Sequence, residues 1–171
     1  MTQEKYELVG LRFFIIDELL DLNIEETIEG GYERVHEYLD GRVKTRWYEK
    51  EGRIHGPSRF YGQGGELLSE TWFVNGVKEG RATRYFPSGE VYSLERFKAG
   101  KPHLLHESFF EGGVRKSVIP YKEGKLHGQV ELFWPSGQIK RRCEYHEGEL
   151  VGEDQMFDEE GDVIHTEKSL S

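Results

Sequence analysis

A single cysteine, Cys143, occurs in a chain of 171 residues, so no disulfide can close within it and no cysteine-based metal site is expected. Long apolar runs are also missing. With 36% hydrophobic and 32% charged residues, the chain has too little apolar material for a deep two-layer core. Its 13% aromatic content is too high for a disordered chain. A thin, largely solvated sheet fits both figures. The opening "MTQEKYELVGLRFFIID" has no basic leader, no small-residue cleavage site and only a short apolar run. Neither a signal peptide nor a membrane span is expected, and the cytoplasm is the expected location.

Recognisable chemistry is scarce. Acidic residues are plentiful, yet no pair stands in an apolar setting that would raise one pKa for acid–base work. No glycine-rich phosphate loop opens a helix. His103 and His106 in "HLLH" have metal-compatible spacing on a helix, but odd spacing in a strand sends them to opposite faces. No catalytic, cofactor-binding or metal-ligating residue is therefore assigned, and no enzyme is expected. Positive charge is in deficit, with 23 basic against 32 acidic residues and a net charge of −9. Residues 1–31 hold eight acids and two bases, and residues 147–171 hold nine acids and one base. Acidic ends keep exposed sheet edges soluble, and they can steer a basic partner. The basic run Lys140, Arg141, Arg142 is read as cross-strand ion pairing on a solvated face, not as a nucleic-acid footprint.

The chain does have glycine, 21 of them, and they are in step. Gly52, Gly76, Gly100, Gly124 and Gly148 recur every 24 residues, as do Gly41, Gly65, Gly89, Gly113, Gly137 and Gly161. A third series runs Gly56, Gly80, Leu104, Gly128, Gly152, broken once. Tyr61, Tyr85, Phe109, Phe133 and Phe157 form an aromatic column, and Phe73, Phe97, Tyr121 and Tyr145 form a second. Each unit holds two turns, such as "VNGV" and "PSGE", separated by strand-like runs. Each repeat is thus a β-hairpin. The fold class expected is mainly β, one elongated antiparallel meander of about ten strands. Its domains are a capping segment over 1–31, repeats over 32–165 and a tail over 166–171. In the cap, "LVGLRFFII" reads as a strand and "DELLDLNIEETIEG" as a short helix, with Asp17 as N-cap and Leu20, Ile24 and Ile28 on one face.

Counting outward from the Pro87-Ser88-Gly89 loop places both aromatic columns on one face. Phe86, Phe110 and Trp134, with Tyr92, then form a stripe on the other face. Cys143 shares parity with Tyr145 and Ile139 and reads as a small packed residue. His55, His103 and His127 follow the 24-residue period, which assigns them to the repeat itself.

The stretch "YKEGKLHGQVELFWPSGQIKRRCEYHEGELVG" resembles the MORN-repeat variant family, and more narrowly the bacterial proteins grouped as YwqK-type antitoxins. Tyr121, Gly124, Gly128, Tyr145, Gly148 and Gly152 match the Tyr-x-x-Gly-x-x-x-Gly core in full. Leu104 departs from it, in a unit that also carries Pro102 and, in its second strand, Pro120, which marks ordinary repeat drift or a local bulge or bend in the ribbon. The resemblance implies a non-catalytic protein-binding module, an antitoxin or immunity protein that sequesters a toxin encoded nearby. A membrane-surface module on anionic lipid and a self-associating scaffold are the alternatives. Phe86, Tyr92, Phe110 and Trp134 are the residues expected to face a partner, unless residues 17–29 cover them.

Overall fold

The computed structural model describes residues 31–168 and, before them, three N-terminal strands. These are β1 (Glu4–Leu8), β2 (Leu11–Asp17) and β3 (Leu22–Ile28). After them come β4 (Gly31–Glu37), β5 (Val43–Lys50), β6 (Arg53–Ile54), β7 (Gly56–Tyr61), β8 (Leu67–Val74) and β9 (Val77–Tyr85). β10 (Val91–Lys98), β11 (Lys101–Pro102), β12 (Leu104–Phe109), β13 (Arg115–Lys122) and β14 (Lys125–Leu126) follow. The last four are β15 (Gly128–Phe133), β16 (Ile139–His146), β17 (Glu149–Phe157) and β18 (Val163–Lys168). Every described element is a strand. Thirteen of them lie side by side in the order β1-β4-β5-β7-β8-β9-β10-β12-β13-β15-β16-β17-β18, with β6, β11 and β14 as short flanking pieces. At about 4.8 Å between strands the ribbon is roughly 60 Å long. Its hydrophobic core is thin, as the composition requires. Among the described residues the buried apolar side chains are few: Val35, Tyr48, Pro57, Ala82, Phe97 and Cys143.

The N-terminal segment differs from expectation. Leu22–Ile28 is not helical; it pairs antiparallel with β2, Ile15 opposite Ile24 and Leu11 opposite Ile28. Asp17, expected as an N-cap, ends β2; residues 18–21 and 29–30 of the expected helix lie outside the described residues. The spacing of four that suggested a helical face is also an even number, so it fits one face of a strand equally well. β-Branched Ile24, Thr27 and Ile28 then tip the balance. β1 lies beside β4 at the end of the ribbon, while the β2–β3 hairpin lies against β9.

Two kinds of turn punctuate the ribbon. At Glu51-Gly52, Asn75-Gly76, Ala99-Gly100, Glu123-Gly124 and Glu147-Gly148 both residues have positive φ, the signature of a two-residue type I′ hairpin loop. These turns stack. The amide of each glycine from Gly76 onward donates to a carbonyl of the preceding repeat, on Ile54, Lys78, Pro102 and Leu126, at 2.7–2.9 Å. The residue before the glycine donates to a side chain of the same preceding repeat. Asn75, Glu123 and Glu147 reach Nδ1 of His55, His103 and His127 at 3.1, 3.3 and 3.4 Å. In the one repeat with glutamate in that column, Ala99 reaches Glu79 Oε2 at 2.7 Å. The periodic histidines are therefore acceptors for turn amides that would otherwise lack a protein partner.

The second turn is a three-residue loop, seen at Phe86–Glu90, where the Phe86 amide donates to the Glu90 carbonyl at 2.8 Å and the Gly89 amide to the Phe86 carbonyl at 2.9 Å. Tyr85 faces Val91 as counted, but Ser93 then faces Arg84, so Tyr92 is an extra residue in the ladder. The same shift recurs opposite Glu37, Tyr61, Phe109, Phe133 and Phe157. A bulge moves every later residue to the other face. This corrects the face assignment. Phe97 pairs with Gly80 and lies on the face opposite Tyr85. The column Phe73, Phe97, Tyr121, Tyr145 shares one face, here the front, with the Phe86, Phe110, Trp134 stripe. The column Tyr61, Tyr85, Phe109, Phe133, Phe157 occupies the back. Ile139 pairs with Phe133 before the bulge and so also lies behind, whereas Cys143 stays in front with Tyr145.

The broken third series is conformationally intact: Leu104 takes φ +58° where Gly56, Gly80, Gly128 and Gly152 have +98°, +80°, +111° and +78°. Pro120 is tolerated inside β13 because that strand pairs with β14 only at Tyr121 and Lys122 and with β15 only at Ser117 and Val118. Its missing N–H falls in the gap between them. A Cβ on Gly128 would sit 3.2 Å from the Pro120 ring at φ +111°, outside the left-handed well that other residues can enter. Gly128→Ala should cost about 2 kcal/mol. Gly152→Ala, at φ +78° with nothing within 4 Å, should cost about half as much. Urea unfolding midpoints of the two variants check the order.

Candidate partner-binding groove

Registers on the front face bring the serines together. Arg84 pairs with Ser93, Ser93 with Ser108, Ser108 with Ser117, Ser117 with Leu132 and Leu132 with Arg141. Small side chains in mid-row leave space above them, and larger ones wall it. The result is an open groove of about 520 Å³ with Ser108, Ser117, Ile119 and Leu132 along its floor and Phe110 and Trp134 at one side. A shallower hollow of about 170 Å³ continues it past Ile119 and Leu132 toward Tyr121, Cys143 and Tyr145.

The bulges furnish the rim. In four of the six bulges the extra residue meets, across the hairpin, the ring six positions before it. Lys140 Nζ lies 4.2 Å from the Trp134 ring centroid, Lys116 Nζ 5.6 Å from Phe110 and Lys44 Nζ 5.6 Å from Tyr38. In the one repeat with tyrosine there, Tyr92 packs edge-on against Phe86 at 5.2 Å. All four residues expected to face a partner are thus on the front face, in two groups: Phe110 and Trp134 in the groove, Phe86 with Tyr92 in the repeat before it. Trp134 is further tied by its indole N–H, which donates to the Phe157 carbonyl at 3.1 Å. Tyr38, four repeats earlier in the same column, donates its hydroxyl to the Tyr61 carbonyl at 2.8 Å. Lys116 was not singled out in the sequence, and Lys140, expected in a cross-strand ion pair, lies over the Trp134 ring instead; lysine at 44, 116 and 140 lies on the 24-residue period.

Arg141 and Arg142, by contrast, are paired with carboxylates, as the sequence suggested, and other arginines follow them. On the back, Arg59 meets Glu70 at 2.6 Å, Arg142 meets Glu131 at 3.2 Å, and Glu107 lies between Arg96 and Arg115. In front, Arg141 Nε donates to Asp154 at 2.8 Å. That hydrogen bond holds the Asp154 carboxyl below the ordinary range and outweighs the burial that opposes it. Burial raises the Cys143 thiol, a setting for packing and not for nucleophilic attack. His103 and His106 have separate partners, the Glu123 amide and, at 2.8 Å, the Arg96 carbonyl. Among the described residues no three histidine, cysteine or carboxylate side chains gather as metal ligands.

His106 lies between Phe97 and Tyr121, with ring centroids 5.4 and 4.6 Å away. Burial lowers its pKa, against the pull of the Arg96 carbonyl. A neutral imidazole is thus favoured in the fold, and the unfolded chain takes up the proton first as pH falls below about 6.5. The contribution is complete above that pH and is lost as pH drops through the lowered folded value. Stability in urea should therefore fall between pH 7.5 and pH 5.5, and His106→Gln should flatten that slope.

Residues 78–99 and 126–147 match the family described as MORN repeat variant. No curated protein matches the chain. The two matched segments start in the same phase of the 24-residue period, and the stretch between them, with Leu104 and Pro120, keeps the same backbone. Two segments of the chain are thus similar to MORN repeat variants, and the groove is built on the front of the same 24-residue lattice.

Proposed function

We propose that this chain is a non-catalytic protein-binding module that holds a partner in the front groove, and that the partner is a toxin which it sequesters. One observation carries the docking reading: an apolar groove, walled by Phe110 and Trp134, is left open on a rigid sheet. Aromatic anchors already fixed by their neighbours bind with little loss of side-chain entropy. The toxin reading rests on the resemblance of "YKEGKLHGQVELFWPSGQIKRRCEYHEGELVG" to YwqK-type antitoxins. Co-expression with the products of adjacent genes tests both. A stable one-to-one complex and rescue of a growth-arresting neighbour are expected. If no neighbour is toxic and none co-purifies, the proposal fails.

A second reading has support from the lysine rim. Lys116 and Lys140 beside Phe110 and Trp134 would also suit an anionic lipid surface. Sedimentation with phosphatidylserine vesicles at low and high salt separates the two. Salt-sensitive pelleting favours lipid, and its absence removes it.

A further inference from the structure

The polar side chains around the groove are cationic or neutral. In a chain with 32 acidic residues, no carboxylate lines this groove. Its polar side chains are Ser108, Lys116, Ser117 and Lys140. Both ammonium groups lie over aromatic rings, and neither forms an ion pair among the described residues. The two serine hydroxyls are 2.6 Å apart. Only one hydrogen fits between two such oxygens, so the other hydroxyl hydrogen is left to donate outward. Two cations and a spare O–H thus surround a floor of Ile119 and Leu132. The groove offers two cations, a hydroxyl pair and apolar surface, and no anion.

We infer that the groove takes an acidic polypeptide segment, with an apolar side chain against Phe110 and Trp134 and carboxylates reaching Lys116, Lys140 and the serine pair. This rests on the docking reading above and states the chemistry of its occupant. A polypeptide fits better than a polyanion. A nucleic acid or a charged lipid surface would bring many negative charges to a groove that offers two lysines, and would meet the acidic ends of the chain as it extends past them. One or two carboxylates on an apolar strand match what is present. The acidic termini bear on other parts of the partner, which would be basic there and acidic at the inserted segment.

Fluorescein-labelled six-residue peptides of alternating leucine and aspartate, leucine and glutamine, or leucine and lysine probe this by anisotropy with the full chain. The aspartate peptide should bind at least about tenfold tighter than the glutamine one at low salt, with the preference fading as salt rises. The lysine peptide should bind weakest. Lys116→Gln with Lys140→Gln should erase the preference and Lys116→Glu with Lys140→Glu should invert it. Circular dichroism of these surface variants confirms that the sheet is intact. Equal binding of all three peptides overturns the inference, as does preference for the lysine peptide or tighter binding to phosphatidylserine vesicles than to the aspartate peptide. A cognate partner lost with Trp134→Ala but held by the double glutamate variant would sink the acidic occupant alone. An aspartate preference without any partner among the neighbouring genes would sink the toxin reading alone.

Discussion

Replacing Glu107 by alanine should cost about 3 kcal/mol of stability. The reason is exposure. The Arg96 side chain is only 8% exposed and Glu107 12%, with Nη1 and Oε2 3.7 Å apart. Arg96 also donates to the Leu105 carbonyl at 2.9 Å, so its guanidinium cannot swing out to water without breaking a second contact. Without Glu107, a buried cation loses a carboxylate that lies 3.7 Å away. Glu70→Ala removes the partner of Arg59, where the two side chains are 30% and 21% exposed. It should cost nearer 1 kcal/mol, because water replaces much of what is lost. Glu147→Ala breaks a pair with Lys125 that is 61% and 51% exposed on its two sides, and its ion-pair share should be a few tenths of a kcal/mol. The double change Arg96→Met with Glu107→Leu should recover most of the loss, since both charges leave together. Urea unfolding of the series reads the order. Equal costs at Glu107 and Glu147 would show that the ribbon is too hydrated for burial to matter.

Trp134→Ala should weaken partner binding by about 2 kcal/mol, near thirtyfold. The ring supplies one wall of the groove and the platform for Lys140, so its loss removes apolar area and disperses a cation. Trp134→Phe keeps a ring but gives up the 3.1 Å hydrogen bond to the Phe157 carbonyl. Phenylalanine should therefore cost the fold about 1 kcal/mol while sparing most of the affinity. Trp47 and Trp72 are natural controls. Their indoles donate to Glu49 and Glu70 on their own strands, at 3.1 and 3.0 Å, away from the groove. Alanine at either should leave binding within a factor of about two once stability is allowed for. Calorimetric titration against the captured partner gives the comparison.

Much of this arrangement could be read before any coordinates existed. Glycines spaced by 24 and paired aromatic columns dictate hairpins in a meander, and the sheet is made of them. Local chemistry at Glu123-Gly124 or Pro135-Ser136-Gly137 is strong enough to decide a turn without tertiary help. Parity was not legible. A bulge costs one residue and leaves no composition signal of its own, so Tyr92, Lys116 and Lys140 looked like ordinary strand residues. Their insertion put Phe97 and Tyr85 on opposite faces and brought Phe97 to the same side as Phe86. Leu22–Ile28 failed for a different reason, since an apolar spacing of four satisfies both periodicities. The groove itself depends on Ser108 and Ser117 facing each other across two strands, a pairing that only the register supplies.

The stacked type I′ turns also give the molecule a direction. From Asn75-Gly76 onward, each turn has its two amides received by groups that come about twenty residues earlier, and by none that come later. A ribosome delivers acceptors before donors, so each new loop finds its seat already built. The growing chain can therefore be completed rung by rung, with no need to wait for its end. Cutting whole units from the C-terminal end should leave a shorter cooperative ribbon. Equal cuts at the other end should strand the next pair of amides, and hydrogen exchange there should rise first.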